Sequence, residues 1–277
     1  MRNKLTDELA VCGMNAALAV CKYQPLKINR LFFRADRLDS FTGICRQLAE
    51  RKRPYKICED EELERICKSV HHQGVVAMIE EPVIEPLSHE DLDLWAGEGK
   101  TGVILNSVGN DHNLGAAARA AAFFDASYIV LNEKDPSLRP DFRADGLRDD
   151  PDTEMRLTTS AYRVAEGAFE HLTVRRIKST AAFLKDASKK LVTIGTDTRA
   201  RMRISGLSDI INAPKVRKLR QEGRPGIALV LGNEETGLPD IVKEQCSYLL
   251  RIPGTGNIDS LNVSQAASLF LYTIYEL

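Results

Sequence analysis

The chain has 277 residues, 43% of them hydrophobic and 28% charged, and its 38 Lys and Arg against 39 Asp and Glu leave a net charge of −1. That suits a soluble globular protein of two domains or one large one, and it excludes a protein that grips nucleic acid by bulk charge; such a partner would have to meet local basic patches. No apolar run of about 18 residues is present to span a bilayer, and the opening residues are interrupted by Asp7, Glu8 and Asn15 where a signal peptide needs an unbroken apolar stretch, so neither membrane nor export is expected.

In chain order, Leu9–Cys12 predicts a short strand that meets Gly13, followed by an Ala-rich helix through Val20. Lys27–Phe33 reads as a strand, Phe41–Arg51 as a helix and Tyr55–Cys58 as a strand. Asp60–Cys67 is a helix whose acidic start suits the helix dipole, and Gly74–Ile79 is a last β-rich run. This alternation predicts a small α/β layer fold over residues 1–82. Five of the six cysteines (Cys12, Cys21, Cys45, Cys58, Cys67 and Cys246) fall in this first quarter and none form a C-x-x-C pair. They read as reduced thiols packed like small hydrophobes in a cytoplasmic protein, with no metal site.

The acidic, proline-containing stretch that ends at Trp95 reads as a linker or a short boundary helix, placed at 83–98. A longer alternation over 99–277 follows. Val103–Leu105 is a strand, Leu114–Phe124 a helix and Tyr128–Leu131 a strand; Ser137–Met155 is polar and reads as an exposed loop. Leu191–Ile194 and Ile227–Leu231 are continuous aliphatic runs, as central parallel strands tend to be. Ser260–Tyr275 is a closing helix with an apolar face. Basic residues cluster at Arg46, Arg51, Lys52, Arg53 and Lys56, at Arg199, Arg201 and Arg203, and at Lys215, Arg217, Lys218, Arg220 and Arg224; each cluster reads first as solvated surface.

Three segments join a buried strand, a Gly- and Asn-rich turn and a helix start. In the first, Gly115 and its alanines let a helix pack tightly, Asn113 stands where it could cap that helix, and Arg119 lies one turn in, where a lone guanidinium among alanines needs a partner. In the second, strand Ile227–Leu231 runs into Gly232, Asn233, Glu234 and Gly237, without the Gly-Lys-Ser/Thr of a P-loop or a G-x-G-x-x-G fingerprint. In the third, Pro253, Gly254 and Gly256 open a loop before Ser260 and Asn262 at the start of the last helix, where backbone donors suit anionic ligands; taken alone, Ser260 reads as a cap.

Taken in order, Asn113-x-Gly115 with Arg119, Leu231-Gly-Asn-Glu-x-x-Gly-Leu238, and Ile252-Pro…Ser260-Leu-Asn-Val-Ser264 resemble the three motifs of the SpoU family, within the SPOUT superfamily of RNA methyltransferases, from about Gly102 to the C-terminus. The resemblance implies an α/β methyltransferase domain with a mostly parallel sheet and a deep trefoil knot, which topology rules would not have proposed. It implies S-adenosylmethionine held mainly through backbone groups of Gly232, Ile252 and Leu261, with Leu231 and Pro253 beside them. It also implies a homodimer formed through the C-terminal domain. Arg119 is the expected central residue, acting on a phosphate, the developing alkoxide or the proton, with Asn113, Glu234, Ser260 and Asn262 positioning the site. One departure stands out: Asp111 occupies a position where many relatives have Pro.

Gly13-Met-Asn-Ala and His71-His72-Gln73-Gly74-Val75-Val76-Ala77 resemble the substrate-binding domain of SpoU relatives, whose fold is like that of ribosomal protein L30e. Together these imply methylation of a ribose 2′-hydroxyl in RNA, ribosomal RNA favoured over transfer RNA. The alternatives are an RNA-binding protein that keeps the fold without catalysis, and a nicotinamide-dependent oxidoreductase, which would need the missing glycine fingerprint.

Overall fold

The computed structural model describes residues 8–108, 110–132, 156–219 and 224–277; the polar loop expected at Ser137–Met155, and Arg220 in the last basic cluster, lie outside the described residues. Along the chain run β1 (Glu8–Cys12), α1 (Met14–Tyr23), β2 (Ile28–Phe33), α2 (Leu38–Glu50), β3 (Tyr55–Ile57), α3 (Asp60–Cys67), β4 (Val75–Glu80), α4 (His89–Gly97), β5 (Thr101–Leu105), α5 (Asp111–Phe123), β6 (Ala126–Asn132) and α6 (Thr159–Ala165). Then come β7 (Thr173–Ile177), α7 (Thr180–Ala187), β8 (Val192–Thr196), β9 (Met202–Arg203), α8 (Leu207–Asn212), α9 (Pro214–Arg217), β10 (Ile227–Leu231), α10 (Asp240–Lys243), β11 (Tyr248–Arg251) and α11 (Val263–Tyr275).

These elements form two compact units. The first holds the described residues up to Val83 together with Asn110–Arg119 and Arg156–His171. Its sheet has the order β1-β4-β2-β3, with β4 antiparallel to β1 and β2, and β2 parallel to β3. Ala10, Cys12, Val76 and Met78 share a buried face with Leu63 and Cys67 of α3, which is the period of two expected of a strand. Phe33 of β2 stacks on Phe41 of α2, ring centres 5.6 Å apart. The unit is thus the small α/β layer expected at the N-terminus, enlarged by the start of α5 and by α6.

The second unit holds the described residues of Ile84–Gly109, Ala120–Met155 and Leu172–Leu277. Its seven strands run β7-β6-β5-β10-β8-β11-β9, and each of these pairings is parallel. The mostly parallel sheet expected from the aliphatic runs is therefore present. Ile227–Leu231 is buried at every position, because a central strand covered on both faces has no solvent side.

The stretch 83–98, expected as a linker or a short boundary helix, carries α4. Ser88 and Asp91 form a capping box, and Trp95 is fully buried in the core with Ile104, Val130, Val230 and Leu184. The Trp95 indole stacks on Tyr128 at 4.9 Å and donates to the carbonyls of Lys100 and Ile227 at 3.0 and 3.1 Å. The acids that made the segment look like a solvated linker occupy the capped first turn and the outward face of a packed helix.

Candidate active site

In the first unit, the start of α5 is set by Asn110 and Asp111. The Asn110 side chain accepts from His112 N–H at 2.8 Å, and its carbonyl accepts from Leu114 N–H at 3.0 Å. The helix begins at Asp111, three residues earlier than a cap at Asn113 would require, so Asn113 lies inside the first turn and Asn110 takes the capping role. The Asp111 departure gains a physical reading here. Both Pro and Asp suit the first helical position, one through its fixed φ and the other through the dipole. Asp111 also accepts from Thr158 Oγ1 at 2.8 Å, and Thr158 caps α6.

Helices α5 and α6 meet at Gly115, where a Cβ would stand 2.5 Å from the Ala161 carbonyl oxygen and 2.8 Å from Val164 Cβ. One turn further along α5 is Arg119. Its side chain is 57% exposed and its Nη1 lies 2.8 Å from Glu166 Oε1. Glu166 closes α6 in the left-handed conformation, φ 48°, and accepts from Asn15 Nδ2 at 3.0 Å. The partner expected for the lone arginine therefore exists, and it comes from a helix that the sequence reading did not anticipate.

The His-Gln-Gly turn of the same unit divides its labour. His72 is buried, and its Nδ1 accepts from Gly74 N–H at 3.1 Å, so this histidine shapes the turn; His71 is exposed. Gln73 accepts from Met14 N–H at 2.8 Å, at the start of α1. Among the basic clusters, Arg51 donates to the carbonyls of Pro25 and Leu26, and Lys56 pairs with Glu62. Just beyond α6, burial pushes the Glu170 carboxyl above its ordinary range, against the pull of Lys27 and Gln24, and its Oε2 is buried without a hydrogen-bond partner.

In the second unit, parallel pairing puts the carboxyl ends of β5, β10, β8 and β11 at one edge of the sheet, the edge where α/β proteins bind ligands. The loop after β10 is built on Asn233. Its Oδ1 accepts from the N–H groups of Glu235 and Thr236 at 2.9 and 3.2 Å, its carbonyl accepts from Gly237 N–H at 2.9 Å, and its Nδ2 donates to Ser107 O at 3.1 Å. This Asx-type turn fixes Glu234 at its crest and ties the loop to the one after β5. A Cβ on Gly232 would overlap the Gly237 carbonyl carbon and the Leu238 nitrogen. The glycine is thus required by the loop's own closure, a reason distinct from the ligand approach expected at this position.

The third loop follows β11 at Ile252. Residues 253–262 are exposed and neither helical nor extended, and the apolar side chains of Ile258 and Leu261 are exposed among them. Helix α11 begins at Val263, and its N-cap is Asn262, whose Oδ1 accepts from Ser264 N–H and Oγ at 2.9 and 2.6 Å. This corrects the reading of Ser260 as a cap and of the helix as starting there. Ser260 sits in the loop, one full stretch ahead of the helix. Near the β8 end, Arg199 and Arg201 line a shallow depression with Asp197 and Lys243. The Asp197–Lys243 pair, at 3.0 Å, partly neutralises it.

The model of the SpoU rRNA Methylase family matches residues 100–272, spanning all three loops. The chain belongs to the SpoU rRNA methylase family. A second family model, RNA 2′-O ribose methyltransferase substrate binding, matches residues 10–83 of this SpoU chain. It is 30% identical over 269 residues to the 23S rRNA (guanosine-2′-O-)-methyltransferase RlmB of Bordetella pertussis, covering 95% of this chain and 94% of that one. In fold it is similar to an AdoMet-bound rRNA methyltransferase of Sinorhizobium meliloti, with a TM-score of 0.68 at 20% identity over 98% of this chain and 88% of that one. It is also similar to the SpoU methyltransferase AviRb of Streptomyces viridochromogenes, with a TM-score of 0.67 at 20% identity over 100% and 92%.

The SpoU motifs account for Arg119, Gly115 and the two loops. They do not account for Glu166, Asn110 or Thr158. Asn233 stands inside the second motif, and its turn-closing role had a sequence signal, an Asn four residues before a Gly. Glu166 had none, because it becomes a partner only when α5 and α6 pack.

Proposed function

We propose that the chain transfers a methyl group from S-adenosylmethionine to a ribose 2′-hydroxyl of structured RNA, ribosomal rather than transfer RNA. The observation that carries this reading is the match to the Bordetella guanosine-2′-O-methyltransferase, which extends over 95% of the chain and so includes both the N-terminal segment and the three loops. The segment 10–83 would recognise the RNA, in keeping with the substrate-binding model that matches it.

A ribose hydroxyl is a poor nucleophile, so transfer demands alignment and relief of the charge that develops on oxygen. Arg119, exposed on α5, would hold an RNA phosphate or the developing alkoxide. A guanidinium keeps its proton in proteins and presents a planar fork to such oxygens, which favours this role over that of a base. Asn113, Glu234, Ser260 and Asn262 would orient RNA and loops.

The loops at the sheet edge fit the cofactor. Their exposed backbone offers polar contacts, and Ile258 and Leu261 offer exposed apolar side chains, a combination suited to a purine ring bound through main-chain groups. Leu231, Gly232, Ile252, Pro253 and Leu261 would hold it. When bound, the cofactor supplies a methyl group already activated on a sulfonium. The trefoil knot belongs to the same proposal and is supported by the strand order, in which β10 lies between β5 and β8. A homodimer is supported by the half-exposed Leu269, Tyr272 and Tyr275 of α11, beside Phe124. No helix among the described residues is long and apolar enough to cross a membrane, and all six cysteines are free, which is compatible with a reducing cytosol.

The test is transfer of tritium from labelled S-adenosylmethionine to total RNA from a strain lacking the gene. The chain should label RNA at ribose 2′-O positions, and mapping those positions identifies the RNA. Arg119→Ala should bind the cofactor almost normally in a calorimetric titration while transfer collapses. Absence of transfer by the unaltered chain, with RNA binding intact, would leave a non-catalytic RNA-binding protein.

A further inference from the structure

We infer that Glu166 is a positioning residue for Arg119, and that it ties Arg119 to the first turn of α1. The inference rests on the reading of Arg119 given above.

The geometry is over-determined on both sides of the carboxylate. Gly115 brings α5 into backbone contact with α6, with no room for a Cβ beside Ala161, so Arg119 is delivered to the end of α6 by packing. Glu166 is held there by its left-handed turn, φ 48°, and by Gly167, φ 94°, whose missing Cβ would stand 2.6 Å from Ala19 Cβ of α1. Its two oxygens are divided between two partners: Oε1 lies 2.8 Å from Arg119 Nη1, and Oε2 accepts from Asn15 Nδ2 at 3.0 Å. A carboxylate that engages a guanidinium with one oxygen restricts it to a small set of rotamers while leaving its other N–H groups available.

Asn15 does not stand alone. It lies in the turn of α1 that the His72–Gly74 segment holds: Gly13 N–H donates to His72 O at 3.2 Å, and Met14 N–H donates to Gln73 Oε1 at 2.8 Å. The turn that resembles an RNA-facing element is thus hydrogen-bonded to Gly13 and Met14, and the adjoining Asn15 reaches, through the Glu166 carboxylate, the residue expected at the centre of catalysis. The assignment therefore stands on whether Glu166 and Asn15 act on turnover through Arg119.

The experiment uses the full chain, tritiated S-adenosylmethionine and total RNA from a strain lacking the gene. It compares Arg119→Ala, Glu166→Gln, Glu166→Asp, Asn15→Ala and the Asn15→Ala/Glu166→Gln double variant, with melts and cofactor titrations alongside. Glu166→Gln should lower kcat by roughly ten- to a hundredfold, the scale of a misplaced catalytic group, with cofactor affinity and melting nearly unchanged. Glu166→Asp should recover part of the loss, and the double variant should be no worse than Glu166→Gln alone. If Arg119→Ala keeps its rate, the reading of Arg119 fails. If Arg119→Ala collapses while Glu166→Gln keeps the original kcat, the positioning role fails. Faster turnover or tighter RNA binding in Glu166→Gln would make Glu166 a competitor for Arg119 and overturn the inference. Additive losses in the double variant would remove the link to α1.

Discussion

Gly115 and Ala161 are in backbone contact: a Cβ on the glycine would lie 2.5 Å from the alanine's carbonyl oxygen. Neither helix can yield easily, since Asp111 and Thr158 bind their starts together. Gly115→Ala should therefore destabilise the chain by about 1–3 kcal/mol, the usual cost of overpacking, and reduce methyl transfer by displacing Arg119. Gly43, inside α2 with open space around it, is the control. Gly43→Ala should be neutral or stabilise by up to about 1 kcal/mol. Thermal melts of the two variants decide it, and equal effects would mean that the close approach is unimportant.

Asn262 and Ser260 should part company on substitution. Asn262→Ala removes the side chain that accepts from Ser264 and should cost about 1 kcal/mol of stability. Ser260→Ala removes no cap and should leave the melt unchanged. A fall in methyl transfer by Ser260→Ala at constant melting would place that hydroxyl on the RNA; an unchanged rate would remove Ser260 from the proposed site.

Gly232→Val should abolish S-adenosylmethionine binding in calorimetry while circular dichroism remains close to that of the original chain. The added side chain meets the Gly237 and Leu238 backbone, so the whole loop must open. Cofactor affinity that survives this change would refute the placement of the pocket.

Glu170 supplies a pH test. Burial raises its carboxyl pKa and leaves Oε2 without a partner, so the ionised form costs stability that the unfolded chain does not lose. The cost is present at neutral pH, shrinks as pH falls through the raised folded-state value, and is gone below the ordinary glutamate value of about 4.3. Glu170→Gln, which carries no charge, should be more stable at neutral pH by about 1 kcal/mol, with the gain fading towards pH 4. Urea melts at both pH values read the difference, and a gain independent of pH would point to packing rather than charge.

The parts of this molecule legible in its residues are those governed by local pattern. Ile227–Leu231 reads as a buried strand because all five residues are aliphatic, and Asp60–Cys67 reads as a helix because acids open it and Leu63 and Cys67 share a face. Helix α6 escaped notice because TSAYRVA spans only two turns and its stability comes from the Thr158 cap and from packing on α5. Helix α4 stood as one of two readings, linker or short helix, because the acids that suggest a solvated linker also serve its capped first turn. Arg119 could be singled out from its alanine neighbours, but its partner could not, since Glu166 reaches it only through the tertiary approach that Gly115 permits. The Asn262 cap was missed by two residues for a simple reason: Ser and Asn are both good caps, and only backbone geometry chooses between them.

Trp95 is the chain's single tryptophan, sealed between α4 and the sheet of the second unit with both indole bonds made to backbone carbonyls. Its emission is therefore a private optical reporter of that unit, shifting to the red only when the parallel sheet opens to water. The four-stranded sheet at the N-terminus contributes no indole. A fluorescence melt set beside a far-ultraviolet melt would show directly whether the two units unfold in one step or two.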